Sequence, residues 1–157
     1  MPTLDDVYCK FRFVSEAAQL LETELGNLLF AAGAEEQNLF DDQNSEAALR
    51  LIDGINKQTL GRLFHNAKVA VERLAEIEKL LERAVTARNR LSHSFYRQHN
   101  FRRNTDEGRA VKLNDLESLH DEILNAYKAV MLLSGIDLAN PPPDLTLPTG
   151  RWSLGKF

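Results

Sequence analysis

Residues 7–28 read VYCKFRFVSEAAQLLETELGNL, and the spacing of their apolar positions decides the fold. Val7, Phe11, Val14, Ala18, Leu21, Leu25 and Leu28 recur at alternating intervals of four and three, which holds a single stripe along one side of an α-helix. Glu16, Gln19, Glu22, Glu24 and Asn27 fill the polar side. Gly33 follows as a stop signal, and Glu35 to Asn44 reads as an acidic connection. Ser45-Glu46-Ala47-Ala48 opens a short second helix through Ile52, which the Asp53-Gly54 pair ends.

The same period recurs downstream. A long third helix starts near Thr59 or Asn66 and carries Leu74, Ile77, Leu81, Ala84, Leu91 and Phe95 on one stripe; beyond Phe95 the pattern dissolves. Asn104-Thr105-Asp106-Glu107 is the next start signal, an N-cap followed by acids that suit the helix dipole. Leu113, Leu116, Leu119, Ile123, Tyr127, Val130 and Leu133 then extend that helix to Ser134-Gly135. Pro141, Pro142, Pro143 and Pro148 forbid helix in the tail, where Trp152 and Phe157 are packing residues. No stretch alternates with a period of two. The expectation is an all-α antiparallel helical bundle of four to five helices over residues 1–138, with an extended Pro-rich tail over 139–157 packed on the bundle or on a second subunit.

A chain of 157 residues has room for one core and not for a catalytic domain plus a separate binding domain. Hydrophobic residues at 43% and charged residues at 27% are globular values, which exclude disorder over the whole chain. Cys9 is the single cysteine, so neither an intrachain disulfide nor a cysteine-based zinc cluster can form. Asp5-Asp6 stands where a signal peptide would carry positive charge, and no apolar run approaches the ~18 residues of a membrane span. These features point to a cytoplasmic protein with no membrane partner.

The net charge of −4 is unevenly spread. Between Arg83 and Arg109, seven arginines against Asp106 and Glu107 give +5, which leaves −9 on the remainder. The excess is all arginine, interleaved with His93, Phe95, Tyr96, His99 and Phe101. Guanidinium forks grip phosphates and aromatic rings stack on bases, so the block suits single-stranded RNA; it also suits an acidic protein surface, a second copy of the chain included. His99 lies in this connection as an RNA contact or a solvated loop residue. His65 and His120 have no recognisable metal-ligand spacing, and no metal or cofactor is expected.

Arg88 falls on the stripe of Ile77, Leu81, Ala84 and Leu91, where it must be paired or face a cleft. His93, the side chain suited to moving protons near neutral pH, follows five residues later. At about 100° per residue the two diverge by about 140° on one regular helix. Either the helix ends between them at Leu91-Ser92, or a second copy completes the site.

Arg88-Asn89-Arg90-Leu91-Ser92-His93 resembles the Arg-polar-x(3–5)-His signature of the HEPN family, in which Asn, Asp or His commonly follows the Arg. A chain of this composition would match that pattern about 0.15 times by chance. The resemblance covers six residues in detail and the all-α setting in outline. It implies a metal-independent endoribonuclease, of toxin or defence-effector type, acting as a homodimer whose two chains line one cleft. On that reading Arg88 holds the scissile phosphate, His93 is the general acid or base and Asn89 orients one of them. Arg90, Tyr96, Arg97, His99, Arg102 and Arg103 would then contact RNA. Some family members carry a Tyr two residues after the motif His, which a nucleotidyltransferase antitoxin adenylylates. Phe95 holds that place here and Tyr96 comes one later, so regulation by such a partner would have to use Tyr96. Two other readings remain: a non-catalytic HEPN-like module binding nucleotide, RNA or a protein, and a plain helical interaction protein in which Arg88 pairs with a core carboxylate.

Overall fold

The structure, a computed structural model, describes residues 1–39, 44–100, 105–138 and 140. It is an all-α bundle: α1 (Leu4–Glu36), α2 (Ser45–Asn56), α3 (Leu60–Ala70), a 3-10 helix (Glu72–Ile77), α4 (Glu78–His93), the single turn α5 (Phe95–Gln98) and α6 (Asp106–Leu133). Five helices exceed two turns, and no strand occurs among the described residues. The Pro-rich tail, with Trp152 and Phe157, lies outside the described residues.

Helix α1 starts at a capping box. Asp6 N–H donates to Thr3 Oγ1 at 3.1 Å and Thr3 N–H donates to Asp6 Oδ2 at 2.7 Å, so two otherwise orphaned donors are satisfied. These bonds hold the Asp6 carboxyl below its ordinary value. Of the expected stripe, Val7, Val14, Ala18, Leu21 and Leu25 are buried, with Phe11 and Leu28 half-buried against them. They meet Leu81, Ala84, Leu91 and Phe95 from the middle of the chain and Leu116, Leu119, Ile123 and Val130 from α6 in one core.

Helix direction follows from the cross-links. Arg109 donates to the Pro2 carbonyl, Lys10 meets His120 and Ser134 donates to Glu24, so α1 and α6 run the same way. Glu22 meets Arg88 and Phe11 meets Phe95, while Arg90 meets Asp115; α4 is therefore antiparallel to both.

Three local expectations change. The helix expected from Thr59 or Asn66 to Phe95 is broken at Val71, whose backbone is extended (φ −127°, ψ 96°). Helix α3 packs on α1 whereas α4 packs chiefly on α6, and one straight rod cannot serve both. A Lys68–Glu78 ion pair spans the corner. Gly54 does not end α2, which continues to Asn56. Nor does Gly33 end α1, which runs on to Glu36. Its role is steric, since a Cβ at Gly33 would lie 3.0 Å from Leu51 Cδ2 and 3.1 Å from Cδ1. Gly26, two turns earlier, gives Ile55 similar room at 3.2 Å, so the pair lets α2 sit close on α1.

Thr105, rather than Asn104, caps α6, accepting from Gly108 N–H at 3.0 Å. The helix stops as expected, with Ser134 at the cap and Gly135 in the left-handed region at φ 86°.

Candidate functional site

The residues singled out at the end of α4 occupy one unbroken helix. It runs through His93, so the chain does not turn between Arg88 and His93 and the two side chains leave the helix on different sides. Ala84, Ala87 and Leu91 define the inward face. Arg88 sits at the edge of that face, and its Nε donates to Glu22 Oε1 on α1 at 3.0 Å. Both side chains are about a quarter exposed, at 23% and 27%. Arg88 is thus paired, one of the two outcomes its place on the stripe required. Glu22 also lines a cavity of about 500 Å³ between α1 and the α2–α3 segment, together with Gln19, Asn27 and Asn56.

Asn89 and His93 are exposed on the opposite face, four residues apart and hence neighbours on the helix surface. Asn89 therefore shares its face with His93 and not with Arg88. His93 is the last residue of α4, where the helix dipole favours positive charge. Arg97 Nη2 donates to the His93 carbonyl at 3.0 Å from the exposed surface. Arg102 and Arg103 lie outside the described residues.

Arg90 is differently employed. Its Nη2 donates to Asp115 Oδ2 at 2.7 Å and its Nε to Gln98 Oε1 at 2.7 Å, which ties α4 to α5 and α6. Asp115 also receives His99, whose Nε2 lies 2.6 Å from the same oxygen. His99 is 5% exposed, so the solvated-loop alternative for it fails. The one-turn helix α5, which the sequence pattern did not announce, folds the ring back onto Phe95 at a centroid distance of 4.8 Å. With Nε2 on Asp115, His99 Nδ1 is buried and has no hydrogen-bond partner among the described residues. The ring lines a second cavity, of about 380 Å³, together with Tyr8, Tyr96, Asn100 and Lys112. Tyr96 is 46% exposed, its ring held at 5.4 Å from Phe11 and 5.3 Å from Phe95.

Three residues that matter here escaped the sequence reading: Glu22, Asp115 and Lys112. Lys112 carried a usable signal, because it precedes Leu116, Leu119 and Ile123 on the α6 stripe as Arg88 does on its own, and it is 2% exposed. Glu22 and Asp115 are acids on polar or flanking positions, and only the packing of α1 and α6 on α4 reveals their partners.

Glu117, His120 and Asp121 gather their ligand atoms within 4.8 Å, a grouping the sequence did not suggest. The Lys10 ammonium already occupies it, 3.1 Å from His120 Nδ1 and in an ion pair with Glu117. Burial, and then the Lys10 charge, hold the His120 ring below its ordinary 6.5, while the hydrogen bond from Lys10 holds the Glu117 carboxyl down. A cation would have to displace Lys10. No helix among the described residues is long and apolar enough to cross a membrane.

Set against models of known protein families, curated proteins and solved structures, the chain matches none.

Proposed function

We propose that the chain is a metal-independent endoribonuclease of the HEPN type, with a toxin or defence role, acting on RNA at a site shared by two copies. One observation supports this most: Arg88, Asn89 and His93 lie in the closing turns of a long helix in an all-α bundle, with Asn89 and His93 exposed. Because α4 stays helical through His93, Arg88 and His93 diverge on one chain, and on this reading a second copy related by a two-fold axis completes the site.

RNA carries its own nucleophile. The 2′-hydroxyl attacks the adjacent phosphorus, the bond to the 5′-oxygen breaks, and the products are a 2′,3′-cyclic phosphate and a 5′-hydroxyl. His93 moves a proton to or from one of these oxygens, Asn89 orients it, and Arg88 of the partner copy stabilises the charge that grows on the phosphoryl oxygens. Arg97, with Arg102 and Arg103, steers the strand by its phosphates. Arg90 is committed to Asp115 and Gln98, so its part is to hold α4 in place. Tyr96 remains the residue that a modifying antitoxin would have to reach.

The test is incubation of purified protein with end-labelled RNA, beside Arg88→Ala and His93→Ala variants and with EDTA. Cleavage with cyclic-phosphate ends should persist in EDTA and fall roughly 10²–10⁴-fold in His93→Ala. Full activity in His93→Ala, or its loss in EDTA, refutes the mechanism.

The Arg88–Glu22 ion pair favours a second reading. A guanidinium already paired with a carboxylate is what the plain helical interaction protein calls for, and a non-catalytic HEPN-like module that binds nucleotide, RNA or a protein is equally served by it. Glu22→Gln separates the two, since freeing Arg88 should raise cleavage if the pair restrains a catalytic group and leave RNA uncut if there is none.

A further inference from the structure

The cavity at the start of α1 combines features that the cleavage proposal does not use. Its volume, about 380 Å³, falls at the lower end of the range for small-molecule sites. Its inner wall carries two polar groups that are almost fully buried, Lys112 at 2% exposure and His99 at 5%. Its mouth carries two tyrosine rings, Tyr8 at 42% and Tyr96 at 46%. Leu4, Val7 and Asn100 complete the lining.

His99 is the informative member. Its Nε2 is committed to Asp115, and Nδ1 is a buried ring nitrogen with no partner among the described residues. Such a nitrogen is costly to leave unsatisfied and is rare in folded proteins. A ligand hydrogen-bonding group reaching it, with the ring yielding slightly, would supply the missing partner. The Lys112 ammonium, engaged within the fold, adds positive charge on the same wall. A buried ammonium under an aromatic mouth fits a ligand that is anionic at one end and flat and aromatic at the other.

We infer that this cavity binds one nucleotide unit, its phosphate directed to His99 Nδ1 and Lys112 and its base against Tyr8 and Tyr96. Base stacking on tyrosine is tolerant of sequence, and phosphate contacts supply the affinity. The unit can come from a free nucleotide or from an RNA strand. Only for the strand as source does this rest on the RNA reading above.

The full-length chain, labelled on histidine, is titrated with each ribonucleoside 5′-monophosphate, with adenosine and with inorganic phosphate. The readout is the ring signals of its four histidines by NMR. Monophosphates should shift the His99 signal, identified from the His99→Gln variant, and should bind at least roughly fivefold more weakly to Tyr8→Ala, which alters only an exposed side chain. Lys112→Met should weaken binding roughly tenfold or more, its folding checked by circular dichroism. A tetranucleotide that displaces the monophosphate from His93→Ala protein identifies the strand as a source; failure to displace it identifies the free nucleotide.

An unmoved His99 signal overturns the inference. So does inorganic phosphate or adenosine binding as tightly as the monophosphates, because the site would then lack one of its two halves. Neither outcome depends on cleavage, so loss of the ribonuclease reading and loss of this one are separately visible.

Discussion

Asp115→Ala tests the junction that holds α4, α5 and α6 together. Asp115 is 15% exposed and one of its oxygens accepts from both His99, at 2.6 Å, and Arg90, at 2.7 Å. The His99 contact is nearly sealed from water, and a hydrogen bond to a charged group there is worth about 1.5–3 kcal/mol. The Arg90 side chain is 37% exposed, which reduces its share to about 0.5–1 kcal/mol. Truncation also leaves both nitrogens of His99 buried without a partner. The expected loss is therefore about 3 kcal/mol, which lowers the melting temperature by roughly 6–12 °C for a chain of this size. Urea denaturation followed by circular dichroism measures it, with an unchanged m-value as the check that the folded state keeps its extent. Arg90→Ala alone should cost no more than about 1 kcal/mol. Asp115→Asn, which keeps an acceptor for His99, should fall between the two. A loss below about 1 kcal/mol in Asp115→Ala would show that His99 is not held as described and would remove the basis for its unsatisfied Nδ1.

Three further outcomes are expected. Mixing Arg88→Ala with His93→Ala chains should restore about a quarter of wild-type cleavage, since half the dimers pair unlike chains and each of those has one intact composite site; no recovery after unfolding and co-refolding the mixture means that Arg88 and His93 act within one chain. Gly54→Ala, in a helix with nothing within 4 Å of the new Cβ, should stabilise by about 0.5–1 kcal/mol, whereas Gly33→Ala should destabilise by about 1 kcal/mol through its contact with Leu51, and equilibrium melts that rank them the other way refute the packing account. The His120 ring is held below its ordinary 6.5, so the fold binds fewer protons there than the unfolded chain; stability should decline as pH falls below 6.5, and His120→Gln should flatten that decline in denaturation midpoints taken between pH 7 and pH 5.

The apolar stripes were legible because burial in a bundle is periodic. Residues spaced by three and four share a face whatever lies opposite, so Val7 to Leu28 and Leu113 to Leu133 could be assigned to the core before any partner helix was known. Punctuation was less reliable. Gly135 stops α6 through its left-handed backbone, but Gly33 and Gly54 stand inside helices, and the break at Val71 has no proline or glycine to mark it. The requirement that turns the chain there is α3 lying on α1 while α4 lies on α6, a demand made by elements distant in sequence.

For the candidate site, the residue types and their order were legible in the sequence because they are local, whereas the divergence of Arg88 from His93 required α4 to stay helical through His93, which the sequence left open. Tertiary structure alone decided what each charge meets. Arg88 is paired because α1 brings Glu22 alongside, 66 positions away in the chain, and Arg90 and His99 converge on Asp115 because α6 returns beside α4. Electrostatic partners are set by proximity in space and by desolvation, neither of which has a sequence period. Lys112 stood on the α6 stripe in the sequence, but its meeting with an unsatisfied histidine nitrogen at one cavity became visible only once the helices were assembled.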